Sequence, residues 1–348
     1  MKKITFLSMI IFLLFFSCKN EENVFPDFKY TTVYFPYQSP VRTIELGKDY
    51  MVDNSGDNAH NCVIMATMGG VYNNTKDITI SLAVDNALPT NLKFNNASGD
   101  IVMPMPASYY TLDASNKIVI KSGEMSNGIK VHLTDAFFAD PLSLKNTYVI
   151  PLKMTNVLNA DSILSGKTTM TNPSPFVAAN CVIVPKNYTL YAVKYINPWH
   201  GNYLRRGKDA VTGSGLDTTF TYHQKYVESD QVVSMSSLSL NAVKLSLVAR
   251  NKRSLTNLPY DLQLNVDNAG KITVASAGST TSPTYTVSGN GEYVTDGDMW
   301  GGIKRDVIRL SYQVNFTGTT PTTHSFKDTI VIRDRGMKSE TFVPFKYQ

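Results

Sequence analysis

The segment "DITISLAVD" at residues 77–85 decides the class of fold that this chain can form. Its apolar side chains occupy every second position, at Ile78, Ile80, Leu82 and Val84, with threonine, serine and alanine between them. Because successive side chains of a strand point to opposite faces, this period of two predicts a half-buried β-strand. The same alternation recurs at 118–120, 129–133, 260–266 and 308–316, while no long stretch keeps a helical period. The sequence therefore predicts an all-β, antiparallel fold.

The alternation is lost between residues 160 and 178, where proline, serine and threonine accumulate. We place a domain boundary just beyond this stretch, near Pro185, because a chain of 348 residues is long enough for two domains. Residues 31–185 have the length expected of an immunoglobulin-like β-sandwich. Residues 186–348 fit a second antiparallel domain, either a sandwich or a closed, calycin-like β-barrel of about eight strands.

The N-terminal residues have the features of a bacterial export signal. Lys2 and Lys3 precede an apolar run at 6–16, which is too short to span a bilayer as a helix. Ser17 and Cys18 follow, and with the apolar residues before them they resemble a lipobox. The resemblance implies that residues 1–17 are a signal peptide and that Cys18 becomes lipidated. The alternative is an ordinary secretory signal with an incidental cysteine.

Residues 18–30 are predicted to be a tether between this anchor and the first domain. Within the tether, Glu21 and Glu22 resemble the acidic export signal that sends lipoproteins of Bacteroidetes to the outer face of the outer membrane. A solvated tether would carry such charges as well. The resemblance implies a protein that is exposed at the cell surface and anchored in outer-membrane lipid through Cys18.

The charge balance argues against nucleic acid as a partner. The chain has 33 basic and 28 acidic side chains, for a net charge of +5, and loss of Lys2 and Lys3 with the signal peptide would lower it to +3. Such a balance provides no extended basic surface for a phosphate backbone. After lipidation of Cys18, Cys62 and Cys181 are the remaining cysteines, and their apolar neighbours predict two buried, unpaired thiols.

No segment has the spacing of a cofactor, metal or catalytic site. The stretch "SGKTT" at 165–169 resembles the end of a phosphate-binding loop, but Asp161 stands where that loop needs glycine. The five histidines lack the short spacing of zinc ligands, and we expect each of them at the surface. There is no G-x-S-x-G nucleophile elbow. The sequence therefore predicts neither a cofactor nor a metal.

Several stretches resemble a family of Bacteroidetes surface lipoproteins of unknown function that are encoded beside glycan-uptake systems. In the first half these are "MPMPASYYTLDASNKIVIKSGEMSNGIKVHLTD" at 103–135 and "TYVIPLKMTN" at 147–156, which resemble that family's immunoglobulin-like domain. In the second half they are "INPWHGNYLRRG" at 196–207, "YDLQLNVDNAGKITV" at 260–274 and "DTIVIRDRG" at 328–336, which resemble its barrel-like domain. The resemblance implies a glycan-associated role beside outer-membrane glycan-uptake proteins, without an established catalytic activity.

The residues best suited to bind a sugar lie in two short stretches. "NPWHGNYLRRG" supplies Trp199, His200, Tyr203 and Arg205, and the glycine-rich "DGDMWGG" supplies Trp300. A sugar site needs a flat aromatic face and planar hydrogen-bonding groups, and these side chains offer both. The alternative for Trp199 is a core role at one end of the barrel, whereas the glycines around Trp300 favour an exposed loop.

Three functions of different classes remain open. The first, which we favour, is a non-catalytic surface lipoprotein that binds a glycan for a neighbouring polysaccharide-uptake system. The second is a structural or adhesive module with protein partners, in which the aromatic residues are core. The third is a glycoside hydrolase, because the two carboxylates of such an enzyme are defined by their separation in space and not by sequence spacing.

Replacing Cys18 by alanine should release the protein from the membrane fraction, because the variant has no thiol at the position that accepts the lipid. Fractionation of cells that express the two proteins measures the effect. Cys62→Ala is the matched control and should leave the membrane fraction unchanged. Full membrane retention of Cys18→Ala would contradict the lipoprotein prediction.

Overall fold

The computed structural model describes residues 27–171, 174–250, 257–278, 284–318 and 321–347. The predicted signal peptide and the part of the tether that contains Cys18, Glu21 and Glu22 lie outside the described residues. Among the helices of the described ranges, none is long and apolar enough to cross a membrane.

The first half of the described chain folds into two facing sheets. Its strands are β1 (Thr32–Tyr34), β2 (Pro40–Glu45), β3 (Asn61–Gly69), β4 (Ile78–Val84), β5 (Leu92–Phe94), β6 (Met103–Pro104), β7 (Tyr110–Leu112), β8 (Lys117–Ile120), β9 (Ser126–Leu133), β10 (Tyr148–Leu158), β11 (Ser162–Ile163) and β12 (Tyr188–Ile196). Short helices are α1 (Ser55–Asn58) and α2 (Asp135–Ala139), and single 3₁₀ turns lie at Ala107–Tyr109, Pro141–Leu144 and Ala178–Asn180. One sheet has the order β11-β1-β3-β9-β7, and the other contains β2-β12-β10-β4-β8, with β6 added to β10.

The core of this sandwich lies between the two sheets and follows from the alternation in the sequence. Ile78 and Ile80 of β4 point inward from one sheet, and Ile129 and Val131 of β9 point inward from the other. The prediction of an all-β fold is therefore confirmed. The sandwich is not purely antiparallel, however, because β12 pairs with β2 in parallel, as do β6 with β10 and β11 with β1. Parallel partners need long connections, which alternation within a strand does not reveal.

Strand β12 lies in the middle of the sandwich, although it follows the boundary predicted near Pro185. It pairs with β10 on one side and with β2 on the other. Val193 and Tyr195 enter the core between the sheets, while Leu190 and Ala192 enter a second cluster on the opposite face. The strand is therefore buried on both faces, and the change from one domain to the other occurs one strand later.

The second half of the described chain closes into an antiparallel barrel. Its strands are β13 (Gly201–Gly213), β14 (Leu216–Tyr222), β15 (Gln231–Ser239), β16 (Ala242–Arg250), β17 (Asn257–Val266), β18 (Lys271–Ser276), β19 (Tyr285–Trp300), β20 (Ile303–Phe316) and β21 (Thr322–Asp334), with a 3₁₀ turn at Val227–Ser229. The order β13-β15-β16-β17-β18-β19-β20-β21 closes because β21 also pairs with β13. The barrel alternative of the prediction is therefore confirmed.

The two domains meet at a buried ion pair. Residues 197–200 connect β12 to β13, and Arg335 follows the last barrel strand. The Arg335 guanidinium donates hydrogen bonds of 2.7–2.9 Å to three backbone oxygens, those of Leu46, Asn197 and Pro198. Its Nε lies 3.2 Å from Oε1 of Glu45, and both side chains are buried.

The chain then returns to the sandwich. Beyond Arg335, β22 (Glu340–Thr341) pairs with β2, and β23 (Pro344–Lys346) pairs with β5. Lys194 of β12 forms an ion pair with Glu340 at 2.9 Å, which fixes the returning segment. The barrel is thus inserted between two parts of the chain that both belong to the sandwich.

Burial at this junction makes the Glu45 carboxyl hard to ionise. It raises the pKa of Glu45 to about 7 from an ordinary value of 4.5, with Asp49 and Asp57 adding to the rise and Arg335 opposing it. Between these two values the folded state holds a proton that the unfolded state has released. The free energy of unfolding therefore falls as the pH rises through this window.

We expect Glu45→Gln to flatten the pH dependence of stability, because glutamine cannot ionise at the junction. Each unit of pKa shift corresponds to about 1.4 kcal/mol. The free energy of unfolding of the variant should therefore rise relative to that of the wild type as the pH rises from about 5 to about 8. Thermal melting across this range measures the effect. Glu340→Gln is the control, since Glu340 is a more exposed carboxylate of the same junction. A wild-type slope in Glu45→Gln would contradict the prediction.

Candidate functional site

Strand β13 changes its partner halfway along one edge. Its first half pairs with β15 and ends at the pair Arg205 and Gln231, whereas its second half pairs with β14 and begins at the pair Gly207 and Tyr222. In the described part of the chain, β14 pairs with β13 alone. A gap therefore opens in the barrel wall between the end of β14 and the strands that follow β13.

A cavity of about 460 Å³ fills this gap, and we call it the seam cavity. Its lining side chains are mostly polar and are Arg205, Thr221, Tyr222, His223, Gln224, Gln231, Val248, Arg250 and Asn257. They come from the end of β14 and the two residues after it, the start of β15 and the adjacent ends of β16 and β17, while Arg205 reaches the cavity from inside the barrel. An aromatic ring beside amide and guanidinium groups is suited to a polar ligand.

Arg205 forms the floor of the seam cavity and is held there by an ion pair. Its Nε and Nη2 lie 3.0 and 2.8 Å from Oδ2 of Asp328, which also accepts a 2.8 Å hydrogen bond from the hydroxyl of Tyr312. The rings of Tyr222 and Phe326 lie beside the guanidinium, with centroids 5.1 and 5.6 Å from Cζ. The positive charge is therefore neutralised, and the side chain is fixed by its neighbours.

Gly207 makes room for this ion pair. A Cβ atom at this position would lie 2.2 Å from Oδ1 of Asp328 and 2.4 Å from the backbone oxygen of Lys327. Gly207 is also the residue at which β14 becomes the partner of β13. The same glycine thus admits the carboxylate that fixes Arg205 and begins the second half of the strand.

A second buried pair, formed by Asp209 and His324, lies beside the first. Nδ1 of His324 is 2.7 Å from Oδ2 of Asp209, and neither side chain is exposed. The same carboxylate oxygen accepts a 3.4 Å hydrogen bond from the hydroxyl of Tyr222. Burial raises the pKa of Tyr222 to about 12, and Asp209 adds to the rise while Arg205 opposes it. The tyrosine is therefore neutral at physiological pH. Its hydroxyl is bound to Asp209 inside the barrel, and the residue also lines the cavity.

The carboxylates of Asp209 and Asp328 stay below the floor of the seam cavity. Neither residue is part of its lining, and within the described residues the second oxygen of each, Oδ1, has no hydrogen-bond partner. Burial raises the pKa of Asp328, and Asp209 adds to the rise while Arg205 opposes it. Both acids are thus engaged by the basic groups that accompany them inside the barrel.

The prediction that every histidine lies at the surface is wrong for His324, which is fully buried. The alternation of β21 places its side chain inside the barrel, where its Nδ1 has Asp209 as a hydrogen-bonding partner. His132 and His223 are exposed, as predicted, whereas His60 and His200 are partly buried. Sequence spacing identifies histidines that could share a metal, but it does not identify one that pairs with a distant aspartate.

The predicted sugar-binding residues do not form one site. Arg205 lines the seam cavity, whereas Trp199, His200 and Tyr203 lie at the end of the barrel next to the sandwich. Tyr203 is buried, and its hydroxyl donates to the backbone oxygen of Trp199 at 2.8 Å. The ring of Trp199 packs edge-on against Tyr293, with centroids 6.1 Å apart. These contacts match the core role that was the alternative for Trp199.

His200 is part of the junction between the domains. Its Nδ1 accepts a 3.1 Å hydrogen bond from the backbone N–H of Ser237 in β15. Burial lowers the pKa of His200 to about 4, and the nearby charges of Arg335 and Lys194 lower it further. The imidazole is therefore neutral at physiological pH and serves as an acceptor that ties the connecting segment to the barrel.

Trp300 ends β19 at a tight turn formed by Gly301 and Gly302. Its Nε1 donates a 3.2 Å hydrogen bond to the backbone oxygen of Ile332, and its ring centroid lies 4.7 Å from Cζ of Arg305. The same guanidinium lies 4.6 Å from the ring centroid of Tyr50, a residue of the sandwich. The Trp300 ring is therefore half-buried against Arg305 near the domain junction, and it is separate from the seam cavity.

Most residues of the seam cavity have no local signal in the sequence. Tyr222, His223 and Gln224 are adjacent in "FTYHQKY" at 220–226, where aromatic and polar residues are concentrated. That concentration is the available signal, and it does not connect this segment with Arg250. The two meet because the barrel closes, which is a long-range property of the fold.

Other kinds of site find little support in the described ranges. No group of three or more His, Cys, Asp and Glu side chains there could hold a metal ion. Cys62 and Cys181 are both free, as predicted. Cys62 is buried in β3, whereas Cys181 follows a 3₁₀ turn and is partly exposed.

Replacing Arg205 by methionine should strongly destabilise the barrel, because the change leaves Asp328 buried without its cation. Removing one partner of a buried ion pair costs about 3–5 kcal/mol, and the double variant Arg205→Met/Asp328→Leu should recover most of that loss. Chemical denaturation of the wild type, both single variants and the double variant measures the coupling. Arg309→Met is the control for an exposed ion pair and should cost less than about 1 kcal/mol. Additive losses in the double variant would contradict the prediction.

Two protein-family models match separate parts of the chain. A domain of unknown function, DUF5627, matches residues 198–336, which contain the barrel and Arg335. A second family model, described as an N-terminal domain, matches residues 28–161, which lie in the sandwich. No curated protein matches the chain.

Two solved structures from Bacteroides are similar to this chain. An auxiliary nutrient binding protein from Bacteroides thetaiotaomicron shares 12% identity over 83% of this chain and 90% of that chain, with a TM-score of 0.35, which supports no functional conclusion. A protein of unknown function from Bacteroides ovatus shares 42% identity over 92% of this chain and 100% of that chain, with a TM-score of 0.84. At this identity and coverage, the chain belongs to the same family as the Bacteroides ovatus protein.

Proposed function

We propose that this protein is a non-catalytic binding protein that holds a glycan in the seam cavity of its barrel. The observation that carries the proposal is the composition of that one cavity. The side chain of Tyr222 and the amides of Gln231 and Asn257 line it above the guanidinium of Arg205. Sugars are bound by aromatic faces together with planar hydrogen-bonding groups, and this lining supplies both.

The rigidity of the floor supports a binding role. Arg205 is fixed by Asp328 and by the rings of Tyr222 and Phe326 before any ligand arrives. A group that is already ordered loses little conformational freedom on binding, so more of each hydrogen bond contributes to affinity. The exposed amides at the rim can adapt to a ligand while the floor keeps its geometry.

The lining favours binding over hydrolysis. Glycoside hydrolases of the common types place two carboxyl groups on either side of the bond that they cleave. Within the described residues, the seam cavity is lined by no Asp or Glu, and Asp209 and Asp328 lie beneath it. A glycan in the cavity would therefore contact donors and an aromatic side chain, without a pair of acids across its glycosidic bond.

The proposal includes the surface location that the sequence predicts. Its support is the lipobox resemblance at Cys18 and the acidic residues Glu21 and Glu22. A binding protein that is anchored at the outer face of the outer membrane would hold its glycan beside a polysaccharide-uptake system. The Cys18 anchor and the seam cavity would then act together, one for location and the other for capture.

A groove on the sandwich favours a second function, a module with protein partners. The groove has a volume of about 250 Å³, and it is lined in part by Tyr37, Val63 and Met65, which are 66%, 47% and 41% exposed. Exposed apolar patches with polar rims are typical of protein interaction sites. Failure to bind any glycan, together with association that is lost in Met65→Glu, would favour this function.

Gln231→Ala and Tyr222→Ala should each weaken glycan binding, because they remove an amide and an aromatic side chain from the seam cavity. Truncation of a residue that contributes strongly to a binding site costs about 1–3 kcal/mol, which corresponds to roughly 5- to 150-fold in affinity. A glycan array on the purified protein identifies the ligand, and calorimetric titration of each variant measures the change. A hydrolysis assay on every hit tests the absence of catalysis.

Two control variants separate the seam cavity from other surfaces. Gln313→Ala removes an exposed amide from the outer face of the barrel and should leave affinity unchanged. Trp300→Ala should also leave affinity unchanged, because the ring is packed against Arg305 outside the cavity. Loss of binding in Trp300→Ala, without loss in Gln231→Ala, would move the site to the domain junction and contradict the proposal.

A further inference from the structure

We propose that the ligand of the seam cavity is an acidic sugar, and that Arg250 binds its carboxylate or sulfate group. The inference rests on the proposed function, because it assigns the charge of the glycan that the cavity holds. It depends on which of the charged side chains around the cavity already form an ion pair.

Two of the arginines at the seam are neutralised. Arg205 pairs with Asp328 at 2.8 Å, and Arg206 pairs at 2.6 Å with Asp230, whose carboxylate is fully buried. Arg250 ends β16 with an exposed side chain. Its guanidinium makes no ion pair or hydrogen bond with the residues that the structure describes. Its charge is therefore available to a ligand.

The positive charge of Arg250 affects the hydroxyl of Tyr222, which is a cavity residue, although the arginine side chain is exposed to solvent. Burial raises the pKa of the Tyr222 hydroxyl, and the charges of Arg205 and Arg250 both oppose that rise. Both guanidinium groups and the Tyr222 side chain line the seam cavity. Asp328 neutralises the charge of Arg205. The charge of Arg250 has no such partner among the described residues and is available to the ligand.

The remaining lining adds no negative charge. Among the described residues, the cavity is lined by Arg205, Arg250 and His223 as basic groups and by no Asp or Glu. The buried acids below the floor, Asp209 and Asp328, each face a basic partner. A concave site with one sign of charge concentrates the opposite charge, so the cavity favours an anion.

The neighbours of Arg250 favour an anion that is carried by a sugar. Asn257 is the direct cross-strand partner of Arg250, and both residues line the cavity together with Gln231. A guanidinium binds a carboxylate or sulfate through two parallel hydrogen bonds, while amide groups bind hydroxyls beside it. This arrangement matches a sugar ring on which an acidic group and hydroxyls are adjacent.

An array of matched acidic and neutral oligosaccharides tests the inference on the full protein. Galacturonate tetrasaccharides and their methyl esters test the carboxylate, because the two share their rings and differ in charge. Sulfated and desulfated galactan tetrasaccharides test the sulfate ester. We expect the acidic member of at least one pair to bind about tenfold or more tightly than its neutral counterpart, since a charge-assisted hydrogen bond is stronger than a neutral one.

Substitutions at Arg250 assign the difference to this residue. Arg250→Gln should lower the affinity of the acidic ligand to that of the neutral one, and Arg250→Lys should keep part of the difference. Arg309→Gln removes an exposed arginine from the outer face of the barrel and should change neither affinity. Raising the salt concentration from about 0.05 M to about 0.5 M should weaken binding of the acidic ligand alone.

The outcomes separate the inference from the proposed function. Equal affinity within both pairs, with loss of binding in Gln231→Ala, would overturn the charge assignment and leave glycan binding in place. An acidic preference that survives Arg250→Gln would overturn the assignment to Arg250. Absence of any hit among acidic and neutral glycans would overturn the proposed function itself.

Discussion

The guanidinium of Arg335 contacts both crossings of the chain between its two domains. It donates hydrogen bonds to the backbone oxygens of Asn197 and Pro198, where the chain leaves the sandwich. Arg335 itself lies in the segment by which the chain returns to the sandwich. It also reaches the sandwich through Leu46 and Glu45. Because a buried charge is costly without partners, this geometry is strongly constrained. The side-chain amide of Asn197 extends the constraint into the barrel, since it donates 2.8 Å hydrogen bonds to carbonyls at both ends of the β15–β16 turn.

The barrel interior carries the Arg205–Asp328 ion pair and the buried Asp209–His324 pair, where apolar side chains would fill the space at lower electrostatic cost. Replacing a buried ion pair by apolar residues of similar volume is often neutral or stabilising, so stability alone does not account for these pairs. Their arrangement gives a different reason. The Asp328 carboxylate fixes Arg205 at the floor of the seam cavity, and the Asp209 carboxylate engages the hydroxyl of Tyr222. Asp328 and Asp209, which both lie inside the barrel, therefore each position a side chain that lines the cavity.

Local sequence pattern predicts the all-β class, because a period of two survives in many of the strands, and it leaves a sandwich or a closed barrel open for the second half. It does not predict the place of β12, since a strand that is buried on both faces reads as a continuous apolar run whatever its partners are. The site shows the same limit. Trp199, Tyr203 and Arg205 are close in sequence, yet Tyr203 donates to the connecting segment while Arg205 lies deeper and meets Asp328. The side chains that contact the Arg205 guanidinium come from β14 and β21, and no local pattern joins them to β13.

The two arginines of the seam cavity differ in electrostatic role because they differ in depth. Arg205 is buried and paired, so it presents directed N–H groups with little net charge, and such a floor can bind neutral hydroxyls as well as anions. Arg250 is exposed at the rim without a carboxylate partner among the described residues, so its contribution depends on the charge of the ligand. The proposed glycan binding and the proposed preference for an acidic ligand therefore depend on different arginines of one cavity. The partner change of β13 at Gly207 provides for both, since it opens the wall above Arg205 and brings Tyr222 opposite the ends of β16 and β17.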